Sequence, residues 1–483
     1  MAGGGLIQLV SIGAQDVYLV GNPQITFFKV TYQRHTNFAR ESIEQTIQGT
    51  QGFNQRLTIT ISRSGDLVGP MHIQMNLPSL TKDIASSELL SVYTSASTVA
   101  GNPQFDSYNW CWVNYVGYRI LKEVTIEIGG QPIDRHYSTW FYMWFELSTP
   151  SAKRAGLQRM VGGYDMTEVP LGLQNNATAA KVLYVPLIFW FNTHPGLALP
   201  LIALQYHEVK LYIQTETLEN CIVLLNQPTD NNLGNVLDIE FNVPNDSNIR
   251  NSDYGASSSS LTLFVYADYY YLDSEERRRF AQLSHEYLIK QVQQVTTSFA
   301  NMQENAANQS IDYKTFNHPV SFNVWGFRKT LSTQCQAVLW DWTNFTNSPP
   351  FLQFLGRSIV NQHKLLLNGN DRYNEQNADY YNLVQPYNHF TAIPPTGILT
   401  YSYALQPVEQ QPSGSLNFSR IDNASNRFST IISLSALNNV LKNFHKTNNW
   451  STTANVSYEG VVYAVNYNVL RIMSGMGGLA YSN

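Results

Sequence analysis

Charge is what this sequence has least of. Asp, Glu, Lys and Arg make up 13% of its 483 residues, about half of the ~25% usual in a soluble domain. The deficit falls on both signs, with 30 basic and 35 acidic residues and a formal net charge of −5. No Lys/Arg run exceeds Arg277-Arg278-Arg279, which follows Glu275 and Glu276. Coating nucleic acid requires a basic face to neutralise phosphates, so direct nucleic-acid binding is not expected. Cysteine is equally scarce: Cys111, Cys221 and Cys335 stand far apart with no CxxC pair. That excludes a disulfide framework and a cysteine zinc site, and it fits a reducing compartment. The longest apolar run, 182–191, contains Pro186 and is about half of the ~20 residues a membrane helix needs. The first residues, MAGGGLIQLVSIGAQDVYLVG, have no basic start and carry Gln8 inside their apolar stretch. Ala2 stands where myristoylation needs glycine. The expectation is a soluble chain made without export and without a transmembrane segment.

The motifs of catalysis are missing too. There is no Walker lysine loop, no GxSxG elbow and no HExxH. His207-Glu208 and His285-Glu286 lack a second histidine four residues on and read as structural hydrogen-bonding residues. Gly475-Met-Gly477-Gly-Leu-Ala480 has the letters of a dinucleotide fingerprint, but the sequence ends at Asn483. The helix and the acidic residue that such a site needs have no room, so these glycines read as a tight turn. Sequons at Asn176, Asn245, Asn308, Asn344, Asn417, Asn423, Asn449 and Asn455 read as chance occurrences in a chain with 45 Asn. No catalytic residue, cofactor or metal is expected.

What is abundant is aromatic and amide: 29 Tyr, 23 Phe and 9 Trp beside the asparagines. A surface of amides, hydroxyls and phenols lacks charge repulsion and packs readily against other protein. The recurring pattern is period-two alternation. Leu57, Ile59 and Ile61 share one face against Thr58, Thr60 and Ser62; Val124, Ile126 and Ile128 alternate with Thr125 and Glu127, and Gly129-Gly130 then offers a hairpin turn. Segments 208–214, 261–272, 397–405 and 460–472 repeat the theme, the last with Val461, Tyr463, Val465, Tyr467 and Val469 on one face. The fold is predicted to be all-β, built from antiparallel sandwiches.

Helices are few. One is predicted over 139–161, with Trp140, Met143, Trp144 and Leu147 in register and an interruption at Pro150. The other follows Leu272: Asp273 caps it, Glu276 stands at the capping-box position, and Phe280, Leu283 and Tyr287 line one stripe. This segment divides two β-rich halves between which no internal repeat is apparent. Stretches 81–108, 226–258 and 341–382 have weak pattern and read as long loops.

Seven blocks in order carry a family resemblance. They are GGGLIQLVSIGAQDVYLVGNPQITFFKVTYQRHTNFA at 3–39, LPLIALQYHEVKL at 199–211, YADYYYLDSEERRRFAQLSHEYLIKQVQ at 266–293, FNHPV at 316–320, QPYNHF at 385–390, PSGSLNFSRID at 412–422 and NYNVLRIMSGMGGLAYSN at 466–483. With these the chain resembles the major capsid protein of nucleocytoplasmic large DNA viruses. The resemblance implies a double jelly roll, two consecutive eight-stranded antiparallel rolls with a short helical connector and long loop insertions. It divides the chain into an N-terminal arm at 1–23, a first roll at 24–273, a connector at 274–286 and a second roll at 287–483.

The function so implied is that of a shell protein. Homotrimers form pseudo-hexagonal capsomers that contact neighbouring capsomers and minor capsid and penton proteins, and pave an icosahedral outer shell around an internal membrane. Synthesis and assembly are expected in the host cytoplasm. Within the arm, Leu6, Leu9, Ile12, Val17 and Leu19, with Gln15 and Asp16 among them, are candidates for contacts that order on assembly. In the connector, Asp273, Glu276, Arg277, Phe280 and Leu283 are candidates for setting the angle between the rolls, with Phe280 and Leu283 supplying most of the docking energy. Two alternatives stay open at this point: a minor or vertex component of the same lineage, and a carbohydrate-binding β-sandwich on the virion surface.

Overall fold

Alternating side chains become sheets where one face can be buried, and here that happens four times over. A computed structural model describes residues 3–80, 108–163, 180–226, 261–302, 309–330, 342–347, 356–430 and 456–481. The chain divides after Phe38 into two units. The first carries two short helices, α1 (Gly4–Val10) and α2 (Val17–Val20).

From that boundary eight principal strands run in chain order to Asp273: β1 (Phe38–Gln45), β2 (Arg56–Thr60), β3 (Leu67–Leu77), β4 (Leu121–Ile128), β5 (Gln131–Tyr137), β6 (Lys181–Pro186), β7 (Val209–Thr215) and β8 (Thr262–Leu272). Eight more follow: β9 (His285–Met302), β10 (Gln309–Asp312), β11 (Pro319–Lys329), β12 (Val360–Leu367), β13 (Asn370–Asp371), β14 (Ile398–Ser402), β15 (Ala424–Thr430) and β16 (Val456–Met473). Further strands of two to four residues add to the sheets, and Tyr108–Trp112 pairs with Ile222–Asn226 in a separate ribbon.

The order of strands in space defines the architecture. The first half pairs β1-β8-β3-β6 in one sheet and β2-β7-β4-β5 in the other; the second half pairs β9-β16-β11-β14 and β10-β15-β12-β13. Adding eight to each label of the first half gives the second. Each half is a jelly roll, two four-stranded sheets whose neighbours in space are distant in sequence. The repeat invisible in the residues is thus complete in the topology.

Alternation explains each core. In β3 the burial pattern is strictly alternate from Met71 to Leu77, and Met71, Ile73 and Met75 face Leu263 and Val265 of β8 on the inside of the roll. Leu57 and Ile59 of β2, with Val124 and Ile126 of β4, close the core from the opposite sheet. In the second half Trp325 and Phe327 of β11, Val462 and Ala464 of β16 and Phe428 of β15 do the same. The β4–β5 hairpin turns at Gly129 and Gly130, with φ of +58° and +85°, values that L side chains rarely adopt.

One expectation is overturned and one is met, each for a physical reason. The stretch 341–382, expected to be loop, contains β12: a bulge between Val360 and Gln362 shifts the register, so the alternation changes phase within the strand and its signal cancels. The predicted helix over 139–161 is two helices, α3 (Ser138–Ser148) and α4 (Ser151–Met160), broken at Pro150 as its missing amide requires. Of the predicted loops at 81–108 and 226–258, residues 81–107 and 227–258 lie outside the described residues.

Candidate functional site: the seam between the two rolls

The functional geometry lies where the halves meet. α3 fills the crossover between β5 and β6, and its sequence STWFYMWFELS is apolar nearly all round, the signature of a helix buried on every side. One side packs into the first roll, with Phe141 stacked on Tyr118 at 5.7 Å and Phe145 against Tyr115 at 5.5 Å. The other side lies on the outer face of the β9-β16-β11-β14 sheet. There Trp140 meets Tyr463 at 5.4 Å, and Trp144 stacks on Phe322 at 6.0 Å. A Cβ on Gly326 would stand 2.6 Å from the Phe345 ring and 3.0 Å from the Met143 methyl, so glycine at this strand position leaves room for Phe345 and for the tip of Met143 on α3.

Polar groups inside this apolar contact are paired across it. Arg328 of β11 donates to Glu459 at 2.9 Å and to Thr139 Oγ1 of α3 at 3.1 Å. The indole of Trp342 donates to Asn114 O at 2.7 Å. Glu146, facing inward on α3, pairs with Arg154 of α4. Burial raises the Glu146 pKa above the ordinary carboxylate value, against the opposing pull of Arg154 and of hydrogen bonds from Tyr115 and Tyr142.

The lower end of the seam is a clamp between sheet edges. Gln291 of β9 donates to Ile133 O of β5, and Val292 N donates to Asp134 Oδ1 at 3.0 Å. Asp134 is backed by buried His136, whose Nε2 is 2.9 Å from Oδ2 and whose ring stacks on Phe189 at 4.3 Å. The C-terminal hairpin completes the clamp. Ser474 and Gly475 turn it with φ of +53° and +81°. His207 Nδ1 of the first roll sits 2.9 Å from Gly477 O and 3.2 Å from Gly477 N, and Tyr206 N donates to Gly475 O at 3.0 Å. An open groove of about 390 Å³ lined by Gln131, Arg135, Gln293 and His318 runs beside it.

The residues singled out from sequence fall as follows. His207 is a structural partner of the glycine turn, so two separately read motifs are one contact 270 residues apart in sequence. His285 likewise bonds Phe280 O at 2.8 Å. In the connector helix, α5 (Ser274–Gln282), Asp273 accepts from Ser274 N at 2.7 Å, but the capping box is not made: Glu276 Oε2 is buried with no partner. Arg277 reaches out of the helix to Asp66 Oδ1 at 2.9 Å, while Asp66 Oδ2 accepts from Leu272 N. Leu283 is 62% exposed and docks nothing, because the chain leaves the helix at Gln282; Phe280 is half-buried against the His285 ring at 5.2 Å. The contacts joining the rolls come instead from α3, the Trp342–Asn114 hydrogen bond, the β5–β9 clamp and the C-terminal hairpin.

Of the arm residues, Leu6, Leu9, Ile12, Gln15, Val17 and Leu19 are exposed, and Asp16 accepts from Gly13 N at 2.7 Å. Among the sequons, Asn344 is buried with Oδ1 bound to its own Thr346, which closes it to glycosylation; Asn417 and Asn423 are exposed. Asn176, Asn245, Asn308, Asn449 and Asn455 lie outside the described residues. Among the described residues no group of His, Cys, Asp and Glu is arranged to hold a metal, and no helix is long and apolar enough to cross a membrane.

Two jelly rolls of one topology, welded in a single chain by an apolar helix, define a double jelly-roll coat protein. Comparison with known proteins agrees. Residues 26–273 match the family model described as major capsid protein N-terminus, and residues 276–478 match that of the large eukaryotic DNA virus major capsid protein. The major capsid protein of Paramecium bursaria Chlorella virus 1 is 39% identical, over 99% of this chain and 100% of the relative. That of Pyramimonas orientalis virus is 37% identical over the whole of both. The quasi-atomic capsid model of the former virus superposes with a TM-score of 0.69 at 34% identity, covering 95% of this chain and 100% of its own. The faustovirus major capsid protein shares the fold, with a TM-score of 0.63 at 14% identity over 96% and 94% of the two chains. The chain belongs to the major capsid protein family of large eukaryotic DNA viruses; it is a structural protein of the virion's outer capsid and not an enzyme.

Proposed function

We propose that three copies assemble around a threefold axis into a pseudo-hexagonal capsomer that tiles an icosahedral shell outside an internal membrane. The observation that carries this is the repeated strand order within one chain. Two units of like shape held at a fixed angle let three chains present six similar sides, and tiles of that outline pave a surface. The seam supports the fixed angle, because its contacts are buried and paired instead of exposed and separable. A shell protein separated from the genome by a membrane has no use for a basic face, in keeping with a net charge of −5. Partners in this reading are neighbouring capsomers and minor capsid and penton proteins, with assembly in the host cytoplasm. Light scattering or mass photometry of the purified protein tests the trimer: the expected species has three times the 54.7 kDa mass of one chain, and a stable monomer would refute it.

In this reading the rolls occupy 24–273 and 287–483, joined by the connector at 274–286, where Asp273 caps the helix, Arg277 ties it to Asp66 of the first roll and Phe280 packs on His285. The segment 1–23 is an assembly arm. Leu6, Leu9, Ile12, Val17 and Leu19 are all more than half exposed, and a run of uncovered apolar side chains in a soluble protein marks a contact to be made. Deleting residues 2–23 is expected to leave trimers intact and to reduce shell assembly, read by electron microscopy of assembly reactions. Normal shells from the truncated protein would remove the arm's role.

A further inference from the structure

The topology repeats, but the burial of its crossover helices does not. α3 follows β5 and lies on the outer face of the second roll's β9-β16-β11-β14 sheet, against Phe322 and Tyr463. At the corresponding place in the second roll, after β13, a π turn at Tyr380–Val384 leads into α6 (Gln385–His389). One side of this helix is buried in its own roll through Tyr381, Asn382 and Gln385. The other side shows Leu383, Val384 and Tyr387 at 47%, 44% and 77% exposure.

The sheet that corresponds to the receiving one is β1-β8-β3-β6 of the first roll. Register places Tyr266 beside His72, and Phe264 beside Gln74 and then Tyr184, on its outer face. These are half-buried or exposed, Val182 continues the face at 51% exposure, and none of the six carries a full charge by residue type save His72 when protonated. His72 stacks flat on Tyr266 at 5.2 Å. On the corresponding strands of the second roll, Phe322 and Val324 of β11 stand beside Val465 and Tyr463 of β16, and these are covered within the chain.

Among the described residues a helix thus lacks a sheet and an equivalent sheet lacks a helix, while the chain joins one such pair internally. We infer that the 380–389 helix of one copy docks on the outer face of β1-β8-β3-β6 in the next copy, repeating the internal seam from second roll to first roll. The contact is heterologous, and closure after three copies gives six like seams, three within chains and three between them. The free face mixes Gln and His with its aromatics because, unlike the internal seam, it meets water before assembly. This inference rests on the threefold reading and names its surfaces.

Complementary variants test it. Tyr387→Glu spoils the helix and leaves the sheet face whole; Tyr266→Glu spoils the face and leaves the helix whole. Each alone is expected to run at 54.7 kDa with unchanged melting, the trimer population falling at least tenfold. An equimolar mixture is expected to form a heterodimer of twice the 54.7 kDa chain mass, since one intact helix meets one intact face. If Tyr266→Glu disturbs melting, Tyr184→Glu on the same face replaces it. Trimers from either folded variant, or a mixture with nothing heavier than monomer, would overturn this contact while leaving the trimer standing. A wild-type protein that stays monomeric would overturn the threefold reading and this contact together.

Discussion

At the scale of single residues, a buried histidine of the second roll makes stability depend on pH. His363 of β12 is buried among Trp325, Phe327, Tyr381 and Phe428, with Nδ1 3.4 Å from Asn426 Oδ1 and Nε2 without a partner. Burial lowers its pKa from 6.5 to about 3, the Asn426 contact opposing only weakly. Between those values the unfolded chain binds a proton that the folded chain refuses, so stability is complete above pH 6.5 and is lost as pH falls toward 3. At pH 5 the loss is about 2 kcal/mol. Thermal or urea unfolding at pH 7 and pH 5 is expected to show that loss in the wild type and not in His363→Phe, whose ring suits the aromatic surroundings. Equal acid sensitivity of the two proteins would show that other groups carry it.

At the scale of elements, the decisive piece is α3, and its sequence was readable only in part. The tryptophan spacing and Pro150 announced a broken helix, and alternation announced β2, the β4–β5 hairpin, β8 and β16. What alternation could not announce was β1, FARESIEQ, exposed on both faces from Phe38 to Ser42, or β12 with its bulge. Nor could spacing tell which surface an all-apolar helix would meet, because a side chain buried in its own roll and one buried in the next look alike in sequence. The connector shows the converse. Its charged, capped helix was legible, yet the partner of Arg277 is Asp66, near the start of the first roll, and not a neighbouring glutamate. If α3 is the weld, Trp140→Ala removes about 3–5 kcal/mol and uncouples the rolls. Denaturant unfolding is then expected to split into two transitions where the wild type shows one. A single transition merely shifted to lower denaturant would mean that the C-terminal clamp suffices.

At the scale of the whole molecule, family and fold class were legible because blocks near both ends and across the middle of the chain survive together. The internal repeat was not legible, since only strand order, and no residue pattern, is shared between the halves. Low charge and abundant aromatics take on meaning at this scale: in the proposed capsomer each copy buries side walls against others, and the proposed contact of helix and sheet faces needs shape more than ion pairs. The rotational symmetry of the particle viewed down its axis is the most direct test. Electron-microscopy class averages of the purified protein are expected to show six evenly spaced lobes, pairs within a chain separated like pairs between chains. Three lobes, or an elongated particle with the two rolls end to end, would contradict the account.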